Sequence, residues 1–433
     1  MYIKRDFYLD RLISKIGNGL IKVITGVRRC GKSFILFNIF YDYLKRQAID
    51  DGHINKLELD REQNAFYRNP VNLGSFLRER MTDKERYYLL LDEVQFVVSV
   101  PNPAFKDSGL PLKDIPKITL FDVLNDLLHE NVDIYITGSN SRMLSKDLLT
   151  EFRGRDDQVL VMPLSFKEYY EHVKGDANKA LADYLVFGGM PKILSFEAKT
   201  DKMHYLENLF TETYIKDIVN RYKIDREDVL MDILNIISSS VGSLTSVNKL
   251  QNTLNSIKNC NVSHEQIQRY IDHILDSMLI NKAVQYNIKG RKYIDSTIKY
   301  YLVDTGLRNA RLNFRQIEET HLMENIIYNE LIHRGYAVDV GVVELFHKEN
   351  NKTVRNNCKI DFIATNGNEK IYIQSAYALE TEEKLKQESR PLLNTGDGFQ
   401  KIIIERNSLI SSLYDERGIK HISLIDFLLG DDF

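Results

Sequence analysis

The stretch ITGVRRCGKSF, Ile24 to Phe34, decides the fold. Gly26, Gly31, Lys32 and Ser33 meet the spacing G-x-x-x-x-G-K-[ST]. In that pattern a glycine-permitted loop turns backbone N–H groups inward on a β-phosphate, and the following helix adds positive potential at its N-terminus. The lysine bridges β- and γ-phosphates, and the Ser/Thr hydroxyl ligates Mg²⁺. The bland alternative is a basic turn that happens to hold two glycines, and context separates the two. Leu20 to Thr25 reads as a short buried strand, and Phe34, Ile35, Phe37, Ile39, Tyr41 and Leu44 make an apolar run long enough for a helix. Strand, glycine loop, helix is the required setting. Gly26, Val27, Arg28, Arg29, Cys30, Gly31, Lys32, Ser33 and Phe34 are therefore expected to form an ATP site. The loop by itself implies nucleotide binding, not hydrolysis.

Around this loop the chain has 433 residues, room for two to four domains. Hydrophobic residues make up 43% and charged residues 27%, a globular composition. Net charge is −3, so any nucleic-acid contact has to come from a local patch. No run of about eighteen uncharged apolar residues occurs, and the start MYIKRDFYLD is no signal peptide. Cys30, Cys260 and Cys358, odd in number and far apart, suit neither a disulfide framework nor a zinc site. The expectation is a reduced, cytoplasmic protein with no membrane partner.

Four further runs read as strands of an α/β core: Lys56 to Leu59, Tyr87 to Leu91, Ile134 to Thr137 and Gln158 to Met162. YYLLLDEVQ closes a buried strand on two carboxylates. Asp92 suits Mg²⁺ held through water, and Glu93 suits polarising the attacking water. IYITGSNSRM places Ser139 and Asn140 beside that strand end, where an amide senses a γ-phosphate or holds the water. EFRGRDDQ carries Arg153 and Arg155, and an arginine there can reach a neighbouring subunit's γ-phosphate. A homo-oligomer would follow.

GVRRCGKS, LLLDEVQ, ITGSNSRML, FRGRDDQ…MPLSFKEYY, YLVFGGMP and TYIKDIVNRYK occur in this order. Together they resemble a prokaryotic AAA-type P-loop ATPase family in which a restriction-endonuclease-like domain follows the ATPase. The resemblance spans nearly the whole chain. It implies the roles above for Lys32, Ser33, Asp92, Glu93, Asn140 and Arg155, and favours Arg155 over Arg153. Residues 98–117 depart from the pattern and hold four of the chain's eight prolines, which reads as a long irregular surface loop.

Residues 1–163 are thus expected as the ATPase core and 164–222, broken at Gly188 to Pro191, as its helical lid. Residues 223–315 outline a winged helix: two short helices, the second opened by a capping box from Ser263 to Gln266, then a hairpin turning at Lys289 to Lys292. Thr245 to Tyr300 holds eight Lys/Arg against four Asp/Glu. Lys282, Lys289, Arg291, Lys292 and Lys299 suit phosphate contacts, weak and non-specific, since Asp272 and Asp276 flank Arg269 and His273 on the second helix.

Residues 316–433 outline a restriction-endonuclease-like α/β domain. Glu324 or Glu330 on a helix and Asp361 on a strand match its first two acids. Gln374 replaces the second strand's carboxylate, and Ala376 stands where a lysine belongs. One carboxylate fewer weakens the metal site, and the missing lysine removes a water activator. Lys384 or Lys386 could substitute. The domain reads as catalytically degenerate. The whole reads as an ATP-hydrolysing switch or motor acting on a partner, DNA or an unknown protein, with an ATP-gated nuclease or a nucleotide-binding scaffold of negligible turnover as the rivals.

Overall fold

The computed structural model describes residues 2–138, 154–258, 262–349, 352–406 and 412–431. The chain divides into two units, Tyr2–Met162 and Pro163–Phe433.

The first unit is built on five parallel strands in the order Ile54–Glu58, Tyr87–Asp92, Val132–Thr137, Ile21–Thr25, Asp156–Leu160. A parallel sheet is covered on both faces, so its strands are apolar without alternation. Ile21–Thr25 and Tyr87–Asp92 are buried at every position. Leu89, Leu91, Ile134 and Ile136 pack with Leu73, Leu77, Val123 and Leu124 from the helices Pro70–Arg80 and Leu120–Leu127. Because all five strands run the same way, their C-terminal ends share one edge. Gly26, Asp92 and Thr137 arrive there together.

The helix after the glycine loop starts as Lys32–Phe34, widens into a π-helical segment Ile35–Phe40 and ends as Tyr41–Arg46. Residues 98–117 are more ordered than their prolines suggest. Val100 and Pro101 pair with Ile118 and Lys117, and tight turns occupy Pro103–Phe105 and Leu112–Asp114.

The second unit begins with helices Phe166–Val173 and Ala177–Phe187. The break at Gly188 to Pro191 follows, and a longer helical run from Lys199 to Tyr222 passes through the π-helical segment Leu209–Ile215. Both glycines of the break are obligatory. A Cβ on Gly188 would lie 2.2 Å from Asp304 Oδ1, and one on Gly189 2.2 Å from Leu164 O. Asp304 accepts the Gly189 N–H at 2.6 Å and also caps the helix Thr305–Arg311.

Helix Glu227–Ser239, strand Leu244–Thr245, helices Val247–Lys258 and His264–Asp276, and the hairpin Ile280–Asn287 with Lys292–Leu302 come next. Ser263 caps its helix by accepting the Gln266 N–H, but the expected return bond is replaced. The Gln266 amide donates to the Tyr270 hydroxyl at 3.3 Å.

One nine-stranded sheet organises the rest. From one edge to the other it runs Ser412–Tyr414, Lys420–Ser423, Gln400–Glu405, Glu369–Ala376, Lys352–Asn366, Ala337–Glu349, Ile280–Asn287, Lys292–Leu302 and Leu244–Thr245. Val340 to Val342 pair in parallel with Gln285 to Asn287. The hairpin is therefore bonded on both sides, and the sheet runs across the division expected at 315/316.

Candidate functional site

At the shared edge of the parallel sheet the chain leaves Ile21–Thr25 into the glycine loop. Gly26 has φ 143°, and a Cβ there would fall 2.1 Å from Val161 O, so only glycine fits. Gly31 lies in the left-handed region, with φ 104° and ψ 14°, where the loop turns into the helix. Arg29 is also left-handed and exposed. Val27 is buried, Arg28 half-buried, and Phe34 meets the Tyr2 ring edge-on.

The loop is fastened from behind. Arg5, only 2% exposed, donates to Cys30 O at 3.0 Å and to Met162 O at 2.7 Å. The Tyr8 hydroxyl accepts the Met162 N–H at 2.9 Å. The Cys30 side chain is wholly buried, with Sγ 3.4 Å from Val161 O. Its thiol turns to that carbonyl, just past the end of the strand Asp156–Leu160.

Lys32 is 4% exposed, and its Nζ donates to Gly26 O at 2.9 Å and Val27 O at 2.8 Å. Asp92, also 4% exposed, accepts hydrogen bonds from the hydroxyls of Thr137 and Ser33. Burial pushes its carboxyl above the usual range, and the Thr137 and Ser33 bonds pull the other way. Glu93 leaves the strand in the left-handed region, with φ 52° and ψ 47°. Its N–H donates to Thr137 Oγ1 at 3.3 Å, and its carboxylate accepts from the Gln95 amide. Lys32, Ser33, Asp92 and Glu93 thus lie around two strand ends, with the strand that carries Thr137 between them.

Thr137, fully buried, touches both acids, yet sequence reading passed over it for its neighbours. Arg5 was missed as well. Asn140, with Ser139 and Arg153, lies outside the described residues. Arg155 is exposed, and its carbonyl accepts the Ile21 N–H at 2.8 Å.

In the second unit, Lys289, Arg291 and Lys292 are exposed at the hairpin turn, and Lys289 Nζ donates to Glu344 O at 3.2 Å. The helix His264–Asp276 shows Glu265, Arg269, Asp272 and Asp276 outward. His273 is taken up by the Tyr222 ring, stacked at 3.8 Å.

Lys299 does not fit the expectation of a phosphate contact. It is 6% exposed, and its Nζ lies 2.7 Å from Glu324 Oε1 and 3.1 Å from Asp361 Oδ1. Burial works against its ammonium, but Asp361 and Glu324 outweigh it and hold the pKa above the ordinary lysine value. Tyr301 donates to the same Glu324 oxygen at 2.6 Å, and the Ser375 N–H to Asp361 Oδ2 at 3.1 Å.

Glu330 is not part of this cluster. It pairs with Arg334 at 2.8 Å, because six residues along a helix carry a side chain well off the face of Glu324. Gln374 joins Asp361 to the next helix: its Oε1 accepts the Asp361 N–H at 3.4 Å, and its Nε2 donates to Glu388 at 2.8 Å. Lys384 and Lys386 pair with Glu388 and Glu382 instead of with Asp361. Ala376 is buried in the apolar core. Among the described residues no three His, Cys, Asp or Glu side chains gather as a metal cage, and no helix is long and apolar enough to cross a membrane.

Residues 18–170 match the AAA domain family, and residues 178–318 match a domain family of unknown function. An uncharacterised protein of Haemophilus influenzae is 31% identical over 433 residues, 99% of this chain and 98% of the relative. Another from Methanocaldococcus jannaschii is 26% identical over 442 residues, with 98% and 88% covered. Among solved structures, the Aeropyrum pernix ORC1 protein in complex with DNA aligns with 72% of this chain and 92% of its own, at 12% identity and a TM-score of 0.28. The Bacillus subtilis DNA clamp loader delta protein aligns with 61% and 87%, at 11% identity and a TM-score of 0.25. Matched over nearly its whole length by the Haemophilus protein, and by the AAA domain over the glycine loop and both strand-end acids, the chain belongs to the same family as that protein, one that carries an AAA domain.

Proposed function

We propose that the chain is a Mg²⁺-dependent ATPase that works as a switch or motor on a partner. One observation carries this reading: the buried Asp92 carboxylate accepts from the Ser33 hydroxyl at the head of the phosphate-loop helix. Hydroxyl and carboxylate oxygens beside a glycine loop are the hard donor set that Mg²⁺ takes in phosphate sites. Mg²⁺, when bound, neutralises charge on the phosphates. Ser33 and Asp92 would hold it, and the loop amides from Gly26 to Ser33 would cradle the phosphates. Lys32 exchanges its carbonyl partners for phosphate oxygens, and Glu93 polarises the attacking water. Asn140 is assigned to the γ-phosphate or that water, and the exposed Arg155 to a neighbouring subunit's γ-phosphate.

The test is ATP turnover. Lys32→Ala should abolish it, and Glu93→Gln should bind ATP yet turn it over slowly. Wild-type turnover in both variants would overturn the site.

For the remaining chain we read 164–222 as the lid, 223–315 as a winged helix and 316–433 as a restriction-endonuclease-like fold without nuclease activity. Support comes from the helix–helix–hairpin order and from a sheet carrying Asp361 and Gln374 on neighbouring strands. The exposure of Lys289, Arg291 and Lys292 favours weak, salt-sensitive nucleic-acid contact. Changing all three to alanine should flatten the salt dependence of DNA binding by up to about three phosphate contacts. An unchanged slope would make the partner a protein.

A further inference from the structure

Three chain segments distant in sequence bring Lys299, Glu324 and Asp361 together: the hairpin's second strand, the helix Glu319–His333 and the strand Lys352–Asn366. The ammonium touches one oxygen of each carboxylate, at 2.7 and 3.1 Å. A divalent ion between the same two oxygens would hold each at about 2.1 Å, so the ion and the ammonium nitrogen compete for one position. The two carboxylates also accept from protein donors, Glu324 Oε1 from the Tyr301 hydroxyl and Asp361 Oδ2 from the Ser375 N–H. The three side chains are 7%, 16% and 17% exposed, which leaves each acid dependent on an internal counterion.

We propose that Lys299 is the resident cation of this carboxylate pair: it fills the place of a divalent ion, and its removal turns the pocket into a divalent-cation site. A neutral amide at Gln374, on the strand beside that of Asp361, follows the same charge logic. One ammonium balances a single negative charge, so two acids already exceed it, and a third would be left uncompensated. The cluster also ties the hairpin to the helix and strand that follow it in sequence. This holds whether or not the glycine loop supports ATP turnover.

The experiment counts Mn²⁺ bound per chain by electron paramagnetic resonance, on the nucleotide-free full-length protein. Four proteins are compared: wild type, Asp361→Asn, Lys299→Ser, and Lys299→Ser with Asp361→Asn. The proposal expects equal counts in wild type and Asp361→Asn, one additional Mn²⁺ in Lys299→Ser, and loss of that ion in the double variant. A wild-type count that falls in Asp361→Asn would overturn it, since metal and lysine would then coexist. A folded Lys299→Ser chain with no additional ion would overturn it equally. Because losing a buried cation can unfold the chain, thermal melts are run with and without Mn²⁺. The ion should raise the melting temperature of Lys299→Ser and leave that of the wild type unmoved. A Lys299→Ser chain unfolded in both conditions would show that an ion does not replace the ammonium, which also rejects the proposal.

Discussion

Thr137 serves both strand-end acids with a single oxygen. Its hydroxyl donates to Asp92 and accepts the Glu93 N–H, so it fixes the side chain of one and the backbone turn of the other. A hydrogen bond to a charged group contributes about 1.5–3 kcal/mol. Thr137→Val keeps the shape and loses the hydroxyl. Its ATP turnover should fall about tenfold or more, and the Mg²⁺ concentration needed for half-maximal rate should rise, while Thr137→Ser stays near wild type; phosphate release against a Mg²⁺ titration reads both. Unchanged Mg²⁺ dependence in Thr137→Val would separate the hydroxyl from the metal site. Glu93 shows the complementary feature, a non-glycine residue held at φ 52°. Such conformations persist only where surrounding contacts impose them, and here the Thr137 bond is one of those contacts.

At the scale of elements, the N-terminal helix Asp6–Ile13 matters through the residue before it. Arg5 joins the glycine loop to the end of the last parallel strand. Arg5→Ala leaves two buried carbonyls short of donors, and should lower unfolding free energy by about 1–3 kcal/mol and weaken ATP binding; urea unfolding and nucleotide titration check the two effects. Asp304 sets another element, since its carboxylate holds the Gly188–Gly189 break and caps Thr305–Arg311. Burial raises its pKa to about 6 from 3.8, against the backbone N–H bonds of Gly189, Leu307 and Gly306. A raised carboxyl adds stability that is complete below the unfolded value and is lost as pH rises through the folded one. Unfolding free energy should therefore fall between about pH 4 and 6, by at most about 3 kcal/mol from this group. Asp304→Asn should flatten that slope, as measured by denaturant unfolding at several pH values. The strands, the glycine loop and the order of the helices were legible in the sequence, because buried parallel strands and spaced glycines leave local patterns. Thr137, Arg5 and Lys299 were not, because their partners lie on distant segments and a lone polar residue carries no periodicity. Lys299 had one faint signal: it stands two residues before Tyr301, so strand alternation aims both at the same face, and both reach Glu324. The choice between Glu324 and Glu330 was open to helix geometry alone, since only one of them can face a given strand.

For the molecule as a whole, Arg155 raises the question of assembly. If it acts on a neighbour's nucleotide, specific activity should rise with protein concentration, and mixing Arg155→Ala with Lys32→Ala should restore turnover at the one intact mixed interface. Absence of rescue, with a monomer at every concentration in sedimentation, would leave Arg155 a surface residue. The nine-stranded sheet bears on how the protein is made. Ile280–Asn287 pairs in parallel with a strand some 55 residues further on, Gln285 against Val340. A ribosome adding roughly 5–20 residues per second leaves an interval of about 3–11 seconds between the two. Through that interval one side of the hairpin is a bare row of N–H and C=O groups, a template for wrong partners. Nascent chains arrested with residue 336 just outside the exit tunnel should recruit chaperones and aggregate on release, whereas chains arrested beyond residue 366 should not.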